Sequence, residues 1–228
     1  MQVIIAGAGS VGRSIAAELA SRGHDITILD KDPAAMELGQ VPEANWVLAD
    51  ATELSLLTKA ELVKADVVVA ATGDDKVNLV LALLAKSEFG VPRVVGRVNN
   101  PKNEWMFDSV WGVDVAVSTP RIMTALVEEA VAVGDVVRIF TFHQSETDLV
   151  EVTLPETSTL VGQRAGDMQW PPEAVLAAIV RDARPVPAEA DLVFEGGDEL
   201  IFVATSVATE ELQAMLHPDE PLSQPGDD

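Results

Sequence analysis

The sequence predicts an α/β protein in which a parallel sheet carries helices on both faces and is followed by a small α+β domain. Three observations predict this architecture. Over the first 118 residues, short runs rich in Val and Ile alternate with helical patterns. A turn with closely spaced glycines directly follows the first of these runs. From residue 136 onward, the pattern changes to the apolar–polar alternation of half-buried antiparallel strands.

The apolar runs of the first 118 residues lack strict alternation, which is typical of strands buried on both faces. We predict strands at residues 2–6, 25–29, 46–48, 66–71, 94–98 and 114–117. Helical patterns fill the intervals, at residues 11–21, 33–38, 53–60, 76–89 and 102–110. A repeated strand–helix order implies a parallel sheet with right-handed crossovers. Residues 1–118 are therefore predicted to form one domain.

The glycine turn has the spacing of a dinucleotide-binding loop, because Gly7, Gly9 and Gly12 form G-x-G-x-x-G between the first strand and the first helix. Such glycines permit a tight turn, close approach to a phosphate, and packing of the helix on the strand. Asp30 ends the second strand, where a carboxylate accepts ribose hydroxyls and disfavours a 2′-phosphate. We predict a Rossmann-like doubly wound sheet of order 3-2-1-4-5-6 that binds a nucleotide. The alternative is a Rossmann fold whose glycines serve packing alone.

Polar residues follow other strands at the edge where open α/β sheets bind their ligands. Asp50, after the third strand, is placed to accept an adenine amino group, and Thr72 and Gly73, after the fourth, to lie beside the sugar and phosphates. The alternative makes Asp50 and Asp74 or Asp75 simple helix caps, and for Asp75 we favour capping.

Two more side chains near this edge have open assignments. Asn78 lies in the first turn of the helix after the fourth strand and faces either the ligand or solvent. Arg97 ends the fifth strand, where a guanidinium serves a phosphate or a neighbouring subunit. A surface salt bridge is the equally weighted alternative for Arg97.

The second half of the chain begins with a helix that Thr119 caps and Pro120 starts, at residues 119–135. Its apolar stripe predicts a crossover helix that packs against another subunit. The stripe consists of Ile122, Met123, Leu126, Val127, Ala130 and Val131. Residues 136–216 predict a small α+β domain with four strands and a terminal helix at 209–216, and the polar segment 217–228 predicts a disordered tail.

Composition and charge exclude several classes of function. The chain of 228 residues has no Cys, so disulfides, Cys–zinc sites and thiol catalysis are excluded. A net charge of −22 opposes binding to nucleic-acid phosphate and to anionic lipid. No apolar run approaches the ~20 residues that span a bilayer, and no signal peptide is evident. We expect a soluble cytoplasmic protein without direct membrane insertion.

The sequence does not indicate catalysis. Tyr is absent, which excludes the Tyr/Lys chemistry of short-chain dehydrogenases, and the three histidines (His24, His143 and His217) do not cluster. We predict no catalytic residues and no metal site. The four tryptophans are expected to be packing anchors. A small NAD-dependent oxidoreductase remains the alternative to a non-enzymatic nucleotide-binding protein.

Several segments together resemble the RCK (KTN) domain, which regulates bacterial potassium uptake systems of the Trk and Ktr type. They are MQVIIAGAGSVG, ITILDKDP, VLADAT, VVVAATGDDKVNLVLALLAK, RVVGRVNNPKNEWMF and WGVDVAVSTP. The second half resembles the C-terminal (TrkA-C) domain of the same family. Its segments are LVEVTLPETSTLVGQRAGDM, VLAAIVRD and LVFEGGDELIFVAT.

This resemblance implies a regulatory subunit that assembles as a dimer, and as a ring, on the cytoplasmic side of a membrane potassium channel or transporter of the TrkH or KtrB type. NAD(H), favoured by Asp30, or alternatively ATP or ADP, would bind the first domain and gate the pore. An Arg that Ktr-type relatives often carry in the glycine loop is replaced here by Ser10. The residues that the resemblance assigns to the ligand are Gly7, Gly9, Ser10, Val11, Gly12, Asp30, Lys31, Asp50, Ala51, Thr72, Gly73, Asn78 and Arg97.

Overall fold

The computed structural model describes residues 1–131, 134–142 and 147–216. The chain divides into two compact units, Met1–Arg121 and Ile122–Asp228, so the boundary lies within the predicted crossover helix. The division into 1–118, 119–135 and 136–216 stays a prediction. His143, His217 and the predicted tail at 217–228 lie outside the described residues.

The first unit contains a six-stranded parallel sheet. Its strands are β1 (Gln2–Ala6), β2 (Asp25–Asp30), β3 (Asn45–Leu48), β4 (Val67–Ala70), β5 (Arg93–Val98) and β6 (Val115–Ser118). Its α-helices are α1 (Ser10–Ser21), α2 (Leu54–Lys59) and α3 (Asp75–Ser87). The strand order β3-β2-β1-β4-β5-β6 confirms the predicted doubly wound sheet. The order reverses between β1 and β4, the point at which such sheets bind ligands.

Apolar side chains on both faces of the sheet explain why the strands are apolar throughout. Alternate residues of β1 enter different clusters, with Ile5 beside Ile28 and Val69 in one and Ile4 beside Val68 in the other. The first cluster includes side chains of α1, and the second includes side chains of α2 and α3. The central strand β1 is therefore covered on both faces, as is typical of a parallel sheet.

The prediction of a helix at 102–110 is wrong. Two 3-10 segments occupy this stretch, Pro101–Met106 and Ser109–Trp111. The side chain of Asp108 accepts hydrogen bonds from the backbone N–H groups of Val110 and Trp111, so it starts a new turn instead of continuing a helix. Similar 3-10 segments replace the helix predicted near 33–38.

The helix α4 (Thr119–Val131) crosses the boundary between the units, with Pro120 in its first turn. The second unit has a five-stranded antiparallel sheet of order β10-β9-β11-β8-β7, which confirms the predicted α+β domain. Its elements are β7 (Val137–Phe142), β8 (Thr147–Thr153), β9 (Ala174–Arg181), β10 (Arg184–Val186), β11 (Glu199–Thr205) and α5 (Ser206–Leu216). The sequence pattern missed β10, which has three residues and follows a two-residue turn in which Asp182 and Ala183 are both at positive φ. Ala is uncommon at this second position, where Gly is preferred, so the turn has no clear sequence signal.

The tryptophans divide between the interior and the surface. Trp170 packs edge-to-face against Phe194 and Phe202 in the core of the second unit, and Trp46 packs in the core of the first. The packing prediction is wrong for Trp105, which is 76% exposed, and Trp111 is also exposed, at 36%. Within the described residues, no helix is both long and apolar enough to cross a membrane.

A buried carboxylate joins α3 to the segment after β5. Asp74, not Asp75, caps α3, because its side chain accepts the N–H of Lys76 at 2.9 Å. Asp75 is 7% exposed and accepts hydrogen bonds from Asn99, Asn100 and Asn103. Burial alone would raise the pKa of the Asp75 carboxyl, but these hydrogen bonds outweigh it and hold the pKa below the usual 3.8.

The tight packing of the glycine loop gives a first prediction. A Cβ added at Gly12 would lie 1.8 Å from the carbonyl oxygen of Gly7, whereas one added at Gly9 would meet no atom within 4 Å. We expect Gly12→Ala to destabilise the protein by about 1–3 kcal/mol or more, measured by urea unfolding. Gly9→Ala is the matched control and should stay within about 0.5 kcal/mol of wild type. Equal stabilities of the two variants would contradict this account.

The lowered pKa of Asp75 gives a second prediction. Its ionised form stabilises the fold above the unfolded pKa, and this contribution is lost as the pH falls below 3.8 through the folded pKa. We expect Asp75→Asn to cost about 1–3 kcal/mol at pH 7, measured by urea unfolding, and progressively less as the pH falls below 3.8. Asp74→Asn is the control, because Asn caps a helix as well as Asp does. A pH-independent cost of Asp75→Asn would show that its charge is not responsible.

Candidate functional site

Gly7 brings the carboxyl ends of the central strands together. Its N–H donates to the carbonyl oxygen of Leu29, at the end of β2, at 2.8 Å. A Cβ at Gly7, whose φ is +108°, would lie 2.7 Å from the carbonyl oxygen of Ala71, just after β4. Only glycine permits this conformation and this approach. The loops after β1, β2 and β4 therefore meet at one edge.

The glycine loop is fastened to Asp30. The Asp30 carboxylate accepts the N–H of Ala8 through Oδ2 at 2.7 Å and the N–H of Asp32 through Oδ1 at 2.9 Å. Asp30 is half-buried. Each carboxylate oxygen has a further lone pair, so both keep an acceptor position for a ribose hydroxyl.

The start of α1 offers backbone donors next to this carboxylate. Gly9 precedes the helix, and no side chain caps it there. The first turn of α1 carries no acidic residue, and both Gly9 and Ser10 are exposed. Val11, the next residue, is half-buried. A helix start with free N–H groups and no competing carboxylate is suited to binding a phosphate.

Asp50 lies beside Asp30 at the end of β3 but does not cap α2. Its Oδ1 atom accepts the N–H and the hydroxyl of Thr52, at 2.9 and 2.7 Å. These two hydrogen bonds, with a smaller contribution from the charge of Lys31, lower the pKa of the Asp50 carboxyl. Asp50 is thus an ionised acceptor beside an exposed Lys31. Ala51 is buried, so its side chain serves packing.

Asn78 holds the loop after β4 through hydrogen bonds of its buried side chain. Its side chain is fully buried, which excludes the solvent-facing alternative. Its Oδ1 accepts the N–H and hydroxyl of Thr72, at 3.0 and 2.6 Å, and its Nδ2 donates to the carbonyl oxygens of Thr72 and Arg97. Asn78 therefore positions Thr72, while Gly73 is exposed and a Cβ there would meet nothing within 4 Å.

Arg97 is a half-buried cation at the end of β5. Its Nε atom is buried and has no hydrogen-bond partner among the described residues. Within that part of the chain it also forms no ion pair, so the salt-bridge alternative is not observed. A guanidinium in this state is suited to an anion that the protein itself does not supply.

Two residues that contact the loops of this site were not predicted from the sequence. Arg13 is only 19% exposed in its side chain, and its Nη1 atom donates to the carbonyl oxygen of Ala8 at 2.5 Å and lies 3.6 Å from Glu37. Asn99 donates through Nδ2 to the carbonyl oxygen of Thr72 at 3.0 Å. In the sequence, Arg13 directly follows the glycine motif, and Asn99 belongs to the Asn-Asn-Pro sequence after β5. Neither pattern has a spacing from which these contacts could be predicted.

The predicted residues divide into two sets along this edge. One set is exposed or half-buried at the edge where doubly wound sheets have their ligand crevice, with acceptors on the β2 and β3 side and donors at the α1 start and Arg97. It consists of Gly9, Ser10, Val11, Asp30, Lys31, Asp50, Thr72, Gly73 and Arg97. The other set is buried and shapes the backbone, and it consists of Gly7, Gly12, Ala51 and Asn78.

This arrangement fits an adenosine nucleotide. The carboxylates of Asp30 and Asp50 would hold the ribose and adenine, the open start of α1 would hold a phosphate, and Arg97 a further phosphate. A Cβ at Gly9 or Gly73 would enter the space left open beside the loops. The Nε atoms of Arg97 and Arg13 are both buried without a hydrogen-bond partner among the described residues, and such atoms are suited to an anion that the protein does not supply.

Comparison with known proteins identifies both parts of the chain. The TrkA-N domain family matches residues 3–119, and the TrkA-C domain family matches residues 149–217. The "Trk system potassium uptake protein TrkA" of Mycobacterium tuberculosis is 54% identical over 218 residues, which are 96% of this chain and 99% of that protein. A "TrkA homolog" of Methanothermobacter thermautotrophicus is 29% identical, over 92% of this chain and 97% of that protein.

Other relatives are longer. The TrkA protein of Vibrio alginolyticus is 28% identical over 90% of this chain but only 47% of its own length. Among solved structures, "GsuK channel bound to NAD" matches 97% of this chain and 40% of that chain, with a TM-score of 0.67 and 16% identity. "Crystal structure of the GsuK bound to ADP" matches 59% of this chain and 35% of that chain, with a TM-score of 0.52 and 19% identity. These two likenesses show the fold.

The two families cover most of the described chain and agree with the doubly wound first unit and the α+β second unit. They also confirm the prediction that the chain is not an enzyme, since the matched domains and curated relatives are those of a potassium uptake system. The chain therefore belongs to the TrkA family of Trk system potassium uptake proteins.

Proposed function

We propose that this protein is the nucleotide-sensing, cytoplasmic regulatory subunit of a Trk-type potassium uptake system. The observation that carries the proposal is the arrangement of the loops where the strand order reverses. There, the glycine loop is bound to the Asp30 carboxylate at 2.7 Å and the start of α1 is free of acidic side chains. The identity to a TrkA protein over 96% of the chain supports the transport system.

NAD(H) is the favoured ligand, with ATP or ADP as the alternative. Asp30 accepts ribose hydroxyls and repels a 2′-phosphate, which favours NAD over NADP. Ser10 supplies no cation to a terminal phosphate, and the cation that lies nearby in sequence, Arg13, is engaged through its Nη1 atom by Ala8 and Glu37. The GsuK structures bound to NAD and to ADP are consistent with either ligand. Arg97 is the residue that would contact a phosphate beyond the first.

The ligand would act by population shift. A nucleotide that spans the loops after β1, β2 and β4 makes different contacts when those loops move, so it stabilises one arrangement of the protein over another. A coupling of roughly 1–3 kcal/mol per site, summed over several subunits, is enough to bias a pore. The pore would belong to a membrane potassium transporter subunit, which the protein would meet at the cytoplasmic face of the membrane.

Self-association would bring the nucleotide sites of several subunits into one assembly. The helix α4 exposes an apolar face, with Met123 62%, Leu126 51% and Val127 59% exposed. Ile122 and Val131 extend the face, while the side chain of Ala130 lies outside the described set. An apolar stripe of this extent on a single helix is suited to a second copy of the same helix. We infer a dimer through α4, and a ring built from dimers.

The first test of the site is Asp30→Ala. We expect it to weaken binding of the preferred nucleotide by roughly 1–3 kcal/mol, because both the ribose contacts and the support of Ala8 are lost. Calorimetry with NADH, NAD⁺, ADP and ATP would measure the affinities and rank the ligands. Asp25→Ala is the matched control, since Asp25 is exposed at the opposite end of the same strand.

Urea unfolding of both variants would separate lost contacts from lost folding. In cells that lack the gene, wild type and Asp25→Ala should restore potassium uptake, whereas Asp30→Ala should not. Unchanged affinity of Asp30→Ala for every nucleotide would remove Asp30 from the site. Absence of binding by the wild-type protein to all four nucleotides would refute the proposed function.

The dimer is tested by Leu126→Asp. A charge buried in an apolar interface is costly, so we expect this variant to lose mass relative to wild type in light scattering. Glu128→Lys is the control, because it changes the charge at an exposed polar position that is turned away from Leu126 on the same helix. A Leu126→Asp protein with the mass of the wild type would show that α4 is not the interface.

A further inference from the structure

Asp75 collects four hydrogen bonds from a single segment of the chain. Its Oδ1 atom accepts the N–H and the Nδ2 group of Asn99, at 2.7 and 2.9 Å. Its Oδ2 atom accepts the N–H of Asn100 at 3.0 Å and the Nδ2 group of Asn103 at 2.8 Å. The carboxylate is 7% exposed. A buried charge with all of its donors in one segment holds that segment at a fixed distance from α3.

The same segment reaches the ligand crevice. Asn99 donates through Nδ2 to the carbonyl oxygen of Thr72 as well as to Asp75. Asn78 donates to that carbonyl oxygen too, at 3.2 Å. The backbone of Thr72 therefore cannot turn without disturbing an amide that also binds Asp75. The contact chain from Thr72 to Asp75 is continuous and lies within the first unit.

At its other end, the network reaches the protein surface. Asn100 caps the 3-10 segment Pro101–Met106 by accepting the N–H of Lys102 at 3.1 Å. Asn103 lies in that segment, and Trp105, two residues later, is 76% exposed. Glu104 forms an ion pair with Arg121, at the end of the first unit. The segment thus carries an indole at the surface while its asparagines are fixed to a buried carboxylate.

We propose that Asp75, Asn99 and Asn103 form a positioning network that transmits occupancy of the crevice at Thr72 to the segment Pro101–Met106. This inference rests on the proposed nucleotide binding. A ligand that moves the Thr72 backbone forces Asn99 to move or to give up a bond. Because a buried carboxylate that loses a donor is penalised strongly, Asp75 and the segment it holds move with Asn99. The network has the contiguous contacts that coupling between the Thr72 loop and the segment Pro101–Met106 requires. The experiment detects its arrangement without the ligand and its arrangement with the ligand.

The test uses the full chain labelled with 5-fluorotryptophan and observed by fluorine NMR. The Trp105 signal is assigned by its loss in Trp105→Phe. We expect saturation with the nucleotide that calorimetry ranks first to displace this signal in the wild-type protein. In Asn103→Ala, the nucleotide affinity should stay within about twofold, since Asn103 contacts no residue of the crevice. The displacement of the Trp105 signal should then be largely lost.

Two further variants complete the test. Lys102→Ala, at an exposed neighbouring position, should give the wild-type displacement. Asp75→Asn should uncouple the signal more completely than Asn103→Ala, and if it does not fold, Asn103→Ala alone decides the question. Nucleotide binding without any displacement in wild type, or a wild-type displacement in Asn103→Ala, would overturn the network and leave the proposed function intact. If no nucleotide binds, the proposed function fails and the network fails with it.

Discussion

The candidate site depends on the close approach of three backbone segments where the strand order reverses. Gly7 lies against the carbonyl of Ala71, and Gly12 lies against the carbonyl of Gly7, at distances that admit no Cβ at either position. This contact brings the start of α1 beside the ends of β2 and β4. Without it, the Asp30 carboxylate would not reach the N–H of Ala8. The other polar groups of the crevice are arranged around this packing.

Much of this could be predicted from the sequence because the relevant signals are local. Six apolar runs, a glycine triplet and an acidic strand end are sufficient to predict the sheet order and the edge at which the candidate site is built. The failures involve side chains whose role depends on distant partners. Asp75 resembles a helix cap in sequence, but its partners lie 24 to 28 residues away. Asn78 was left open between ligand and solvent, and only the fold shows that it is buried.

The missed secondary structure has the same cause. Residues 102–110 carry a helical pattern, yet the segment is held by the Asp108 side chain and by Asp75, so it forms two short turns. The strand β10 has only three residues and contains Pro185, which disfavours a strand assignment. In both cases, contacts made after folding outweigh the local preference of the chain.

Asp30 anchors the glycine loop and is also the residue that we propose to contact the ribose, and this has a consequence for protein engineering. In Rossmann proteins, replacing the acidic residue after the second strand is the usual way to admit a phosphorylated ribose. Here the same carboxylate anchors the main chain at Ala8 and Asp32. A redesign for NADP would therefore have to install a new anchor for the glycine loop together with the new specificity residue, since changing position 30 alone alters both at once.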